Sequence, residues 1–372
     1  PLVEKLAAQG VPPPDRITPS ALDACFRDLE WAPSTRRRAV VAVREWLSPL
    51  YPPSRSPGDL VDLPKLVERP GQATFSRPIE LVSSVHVYGR PGITSPCVGQ
   101  LLNQGTPVVW RSHNGYPIGL SMPLHMAGLD ARRAQYEHAD GPRGLEIAQR
   151  LIAAKITSMR GLVRRRAPHE IETLNSLSSL SKRAKAARAI ETLLGYEGAA
   201  AALYFSVWPL LLSDHGDDLI FDGRTRRPPR DEINAALSYA YAVLAGESLA
   251  AVAAAGLDPR CGVLHRVRSG RPALALDLLE PFRPIIADQV VLTAFNTAQL
   301  HAEHFETSDA AAKLNDAGRR RILDLLEARL ATSIAVGASD VRTSYRETIG
   351  LQARAIGAAL SGSTKFLAME RP

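Results

Sequence analysis

The chain has 372 residues, 45% of them hydrophobic and 22% charged, with a formal net charge of +7 at neutral pH. That length accommodates two or three domains with cores of their own, and the balance excludes an intrinsically disordered chain. Three scattered cysteines, Cys25, Cys97 and Cys261, exclude a disulfide framework and a four-cysteine zinc site, and read as reduced thiols.

Residues 1–62 form a Pro-rich leader. Two short helices are expected in it, one after Ser20 and one after Ser34 or Thr35, followed by a Pro/Ser linker from Pro49 to Pro57. The start at Pro1 rather than methionine suggests a chain cut from something longer. No run of about 18 apolar residues and no signal-peptide pattern is visible, so a cytoplasmic location is expected.

From residue 63 to 129 the periodicity becomes alternating. Ile79, Leu81, Val85 and Val87 form one apolar face of a half-buried strand. Ser95-Pro96 reads as an N-cap and first helical residue, Gly105 as the helix end, and Thr106–Trp110 as a second strand. A small β-rich domain with an exposed sheet edge or face favours two-fold pairing, so this domain is expected to mediate a homodimer.

Residues 130–372 read as helical throughout. Ala148, Leu151, Ile152, Ile156, Met159, Leu162 and Val163 recur at helical spacing, as do Ile190, Leu193 and Leu194, and Ile322, Leu325, Leu326 and Leu330. The fold class is therefore α+β, a small β-rich N-terminal domain followed by a large all-helical one.

Charge is regional. Arg164 to Arg188 holds seven cations against Glu170 and Glu172, and Arg224 to Arg230 holds four arginines and no acid. The two carry +9 between them, so the rest of the chain sums to −2. A polyanion-binding strip requires such local excess, although a solvated helix face and an Arg-rich turn would look the same. The Pro228-Pro229 pair should stiffen the second segment and hold its arginines out toward a partner.

Glu197 lies between Gly195 and Gly198, which permit close approach of another backbone, a metal or a phosphate. His265 follows the Gly256-Leu257-Asp258-Pro259 turn, and Asp277 and Glu280 are three apart, on one face if helical. Pro281 disfavours helical backbone at Glu280. Two carboxylates, an imidazole and a further acid suit Mg²⁺ or Mn²⁺ better than zinc. Spacing alone also suits surface carboxylates around a core histidine. His301 and His304, three apart, lack the order of a zinc motif, and Cys261 with His265 lacks further ligands. Asn234 and Tyr241 share a helix face and suit either a core hydrogen-bonding role or an active-site lining.

Four ordered blocks resemble the universal CRISPR adaptation integrase family. They are Leu194-Gly195-Tyr196-Glu197-Gly198; Phe221-Asp222-Gly223-Arg224 through Asp231, Asn234, Ser238 and Tyr241; Gly256-Leu257-Asp258-Pro259 through Gly262 to His265; and Leu274 to Pro284. With Ser344-Tyr345-Arg346 and Gln352-Ala353-Arg354, the match spans roughly residues 65–370.

The resemblance implies metal ligands at Glu197, His265 and Glu280, with Asp277 supporting catalysis. It implies a Mg²⁺- or Mn²⁺-dependent endonuclease and integrase in which 3′-hydroxyls of a short prespacer duplex attack repeat DNA by transesterification. Its partners are a second copy of the chain and a small ferredoxin-like adaptation subunit, and some members are fused to a reverse transcriptase or nuclease domain. Arg164, Arg165, Arg166, Lys182, Arg183, Arg224, Arg226, Arg227, Arg230 and Arg283 are the expected DNA contacts. A transposon-encoded relative with the same active site is the second enzyme reading.

Overall fold

Alternation ahead of Tyr88 forms β1 (Val85–Tyr88) in the computed structural model, which describes residues 82–124, 128–212, 221–226, 228–308, 310–335 and 342–371. The leader helices, the linker, and Ile79 and Leu81 lie outside the described residues.

β1 leads into α1 (Ser95–Asn103) and returns as the parallel strand β2 (Val108–Arg111), with Val85 opposite Val108 and Tyr88 opposite Arg111. A third strand, β3 (Pro117–Ser121), completes the sheet in the order β1-β2-β3. The N-cap of α1 is Thr94, whose hydroxyl accepts from the Cys97 amide at 3.4 Å, so the helix begins at Ser95. Ser95, read from the sequence as the cap, is the first helical residue instead, because Thr94 has the extended backbone that a cap requires. Val82, Val85, Val87, Cys97, Leu101 and Val108 make the core of this unit, which comprises residues 1–113 and 118–125.

The second unit, residues 114–117 and 126–372, is built on helices. They are α2 (Leu129–His138), α3 (Pro142–Arg166), α4 (Ile171–Lys185), α5 (Ile190–Ser206), α6 (Glu232–Ala254), α7 (Ala273–Leu279), α8 (Gln289–Asn296), α9 (Asp316–Leu330) and α10 (Tyr345–Leu360). The apolar stripe foreseen on α3 is buried from Ile147 to Val163. α6 holds no unbroken apolar run, being interrupted by Ser238, Glu247 and Ser248, yet by length and composition an 18-residue window of it, with mean hydropathy 1.4, could cross a bilayer; 78% of that window is buried inside the protein. It is the core helix of this unit.

The unit is not wholly helical. β4 (Phe305–Ser308) pairs antiparallel with β5 (Ala311–Leu314), and β6 (Ser333–Ala335) with β7 (Arg342–Ser344). Strands of three or four residues are too short to impose a period on the sequence. Phe305, Ala312 and Leu314 are buried while Glu306, Thr307 and Lys313 face solvent, which is the half-buried pattern of a strand pair. The Ala312 amide donates to the Pro229 carbonyl at 3.0 Å and thereby anchors the Arg-rich segment to the hairpin.

Candidate active site

Glu280 closes α7. Its backbone is helical, φ −55° and ψ −48°, despite the proline that follows. As the C-cap just past Leu279 it needs no continued ladder, and a π-helical turn at Arg283–Asp288 leads into α8. The break lets Asp277 and Glu280, three apart, serve different partners.

Asp277 is fully buried and faces the loop before it. Its Oδ2 accepts from the amides of Val263 and Leu264 at 2.7 and 3.0 Å, and its Oδ1 from that of His265 at 3.1 Å. The same Oδ1 lies 2.5 Å from His265 Nδ1, so one carboxylate fixes both the loop and the imidazole. With Nδ1 engaged, Nε2 is the ring nitrogen left for other work. Gly262 makes this packing feasible: a Cβ there would stand 2.6 Å from Asp277 Oδ2 and 2.9 Å from both Ala273 Cβ and the His265 carbonyl.

Glu197, on α5, and His265 and Glu280 line one cavity of about 710 Å³. The ammonium of Lys155, on α3, pairs with Glu197 Oε1 and lies 2.7 Å from Glu280 Oε2. Arg283 approaches Glu280 Oε1 at 3.1 Å. Burial raises the Glu280 pKa, but Arg283, Lys155 and His265 outweigh it and hold the carboxyl down at about 2. Glu280 is therefore a buried anion at neutral pH. Its Oε2 has an ionic neighbour in Lys155 but no hydrogen bond of adequate geometry. Gly195 and Gly198 face open space, with nothing within 4 Å of where a Cβ would stand.

A divalent metal fits these residues chemically. Two carboxylates and an imidazole open on one hollow, a cation already lies between the carboxylates, and one buried carboxylate oxygen lacks a hydrogen bond. Among the described residues no three His, Cys, Asp or Glu groups already stand together at metal-holding spacing.

The wall of the cavity is basic. Arg224, Arg226, Arg268, Arg271 and Arg283 line it. Arg224 is not held out as the proline pair suggested: it turns back to donate to Asn234 Oδ1 at 2.7 Å and Ser238 Oγ at 3.1 Å. Asn234, capped by Asp231 at the start of α6, also accepts from the Thr225 amide and donates to the Gly223 carbonyl, so it shapes this segment. Arg224 and Arg283 lie 5.4 and 4.7 Å from the centre of the Tyr241 ring, whose hydroxyl donates to Asp288 at 2.5 Å. Burial pushes the Asp288 carboxyl up to about 6, against the pull of the Tyr241 and Tyr204 hydroxyls and the two arginines. Tyr241 is therefore both a lining residue and a core hydrogen bonder.

Arg226 and Arg230 are exposed, and Arg227 lies outside the described residues. Arg164, Arg165 and Arg166 end α3, while Lys182 and Arg183 end α4, where the helix dipole favours cations. Arg183 covers the Tyr196 ring at 4.5 Å. Cys97 and Cys261 are free thiols, both pushed up to about 11 by burial; Cys25 lies outside the described residues. His304 Nδ1 accepts from the His301 amide in a local turn. Sequence reading missed Lys155, Arg268 and Arg271. A lysine at a core position of the α3 stripe was the available signal for the first.

The family model described as CRISPR associated protein Cas1 matches residues 65–328. A CRISPR-associated endonuclease Cas1 of Thermus thermophilus is 37% identical over 304 residues, covering 81% of this chain and 92% of the relative. A CRISPR-associated exonuclease Cas4/endonuclease Cas1 fusion of Geobacter sulfurreducens is 36% identical over 293 residues. That match covers 75% of this chain and 52% of the fusion, so the chain spans about half the length of such relatives. Among solved structures, a casposase bound to integration product superposes with a TM-score of 0.66 at 25% identity, covering 78% of this chain and 81% of the casposase.

Proposed function

The chain belongs to the Cas1 family of CRISPR-associated proteins, and from that premise we propose that it is a metal-dependent DNA integrase of spacer acquisition. The observation that carries this reading is the convergence of Glu197, His265 and Glu280 on one cavity with an arginine-lined wall.

In the proposed reaction the 3′-hydroxyl oxygen of a short prespacer duplex bonds to a phosphorus of repeat DNA as the existing P–O bond breaks. One phosphodiester replaces another, so no energy cofactor is consumed. Glu197, His265 and Glu280 would hold Mg²⁺ or Mn²⁺, which lowers the pKa of an attacking hydroxyl and neutralises charge on the phosphoryl oxygens. Asp277 orients His265 and leaves its Nε2 for the ion. Arg226, Arg268 and Arg271 would hold the DNA backbone at the cavity.

Partners in this reading are prespacer and repeat duplexes, a second copy of the chain through the β-rich domain, and a small ferredoxin-like adaptation subunit. A fused or associated nuclease is supported by the Cas4/Cas1 architecture of the relative, and a reverse transcriptase partner by a likeness to a partial Cas6-RT-Cas1–Cas2 complex, with a TM-score of 0.63 at 25% identity. The casposase likeness supports a second reading, insertion of a whole mobile element by the same site.

Strand transfer from short duplexes into a supercoiled repeat plasmid tests the proposal. Product is expected with Mg²⁺ or Mn²⁺ and none with chelator, and chelator-resistant transfer would defeat it. Preference for element ends over repeat boundaries would favour the second reading.

The arginines separate under substitution. Arg226→Ala should weaken binding to all sequences alike and reduce the slope of log affinity against log salt by about 0.9. Arg224→Ala should instead lower the melting temperature, because it unhooks Asn234 and Ser238. Anisotropy across a salt series checks the first; an unchanged slope in Arg226→Ala would withdraw its phosphate contact.

A further inference from the structure

We propose that Lys155 is a resident counter-ion which a divalent metal must displace, so that this side chain sets the metal affinity of the site. The inference rests on the metal-dependent reading above and concerns a residue that reading does not use.

Lys155 projects from the buried face of α3 and is 3% exposed. A lysine so enclosed needs compensation, and its ammonium has it on both sides, from Glu197 Oε1 and from Glu280 Oε2 at 2.7 Å. Glu280 Oε1 is engaged by Arg283 at 3.1 Å. Three of the four oxygens of the two carboxylates thus already face cations. The local set is neutral, with two carboxylates against one ammonium and one guanidinium.

A divalent ion needs carboxylate oxygens at about 2.0–2.6 Å. The Lys155 ammonium already holds one oxygen of each carboxylate, so an ion bridging the two would compete with it for one position. Arg283 is the less movable of the two cations, since its guanidinium also packs 4.7 Å over the Tyr241 ring. Lys155 has a flexible four-carbon stem, and its tip is held by the same two carboxylates that the ion would take. Its ammonium also offsets the repulsion between the buried Glu280 carboxylate and the half-buried Glu197 carboxylate.

The test uses the full chain and Mn²⁺, with the dissociation constant read from the EPR signal of free Mn²⁺ and, separately, the Mn²⁺-induced shift in melting temperature. Lys155→Met and Lys155→Gln should each bind Mn²⁺ at least about tenfold more tightly than wild type, with a larger thermal shift and a lower melting temperature in chelator. Lys155→Arg, which keeps the charge, should stay near wild type. Neutral variants that bind Mn²⁺ no better than wild type would overturn the proposal while leaving the metal-dependent reading intact. Folded wild type and neutral variants that all fail to bind Mn²⁺ would overturn both. If neither neutral variant folds, amine labelling of wild type read by mass spectrometry decides. Mn²⁺ should raise labelling at Lys155, and unchanged labelling would reject displacement.

Discussion

His265→Ala is expected to reduce strand transfer by about a thousandfold or more, a barrier increase of about 4 kcal/mol, while duplex affinity stays within about twofold. The imidazole is half-buried, fixed at Nδ1 by Asp277 and open to the cavity shared with Glu197 and Glu280. In the proposed reading its loss removes a metal ligand and leaves the arginines of the wall in place, so chemistry and binding should part. Single-turnover transfer and anisotropy on the same preparation measure the two. Transfer that survives in His265→Ala with added Mn²⁺ would make the histidine a structural residue.

Asp277→Ala should fail differently, in stability as well as rate. Its carboxylate receives three backbone amides and the His265 ring, all from a fully buried position. Removing it strands those donors and costs about 3–5 kcal/mol. Asp277→Asn is the finer probe. One of its two terminal atoms becomes a donor, and both positions face donors, so the loop must shift whichever way the amide turns. The expected outcome is a folded protein with a lower melting temperature and about 10- to 100-fold less activity, the usual cost of losing a partner that orients a ligand. Full activity in Asp277→Asn would show that His265 orients itself.

The contrast between the two variants separates the imidazole that lines the cavity from the carboxylate that holds it there. Three apart on a short helix, Asp277 and Glu280 would be expected to share a face and a task. Instead Asp277 turns to the loop at Val263–His265, and Glu280 to Lys155 and Arg283.

Much of the fold was legible because periodic burial writes itself into periodic sequence. The stripe on α3, the start of α6 at Asp231 and the strand-helix-strand unit around Ser95 follow from side-chain spacing and capping chemistry alone. The hairpins of β4–β5 and β6–β7 did not, because three or four residues cannot establish a period, and their pairing depends on partners across a chain reversal. Glu197, His265, Asp277 and Glu280 were nameable as candidates from residue type and family resemblance. Which of them open on one cavity was decided by packing, since they come from α5, a loop and the end of α7. Lys155 is the clearest case of what tertiary structure alone decides. Along the chain it is one cation in an apolar stripe, 42 residues from Glu197 and farther still from Glu280. Only when α3 packs beside α5 and the end of α7 does burial deprive it of water and leave those two carboxylates as its compensation.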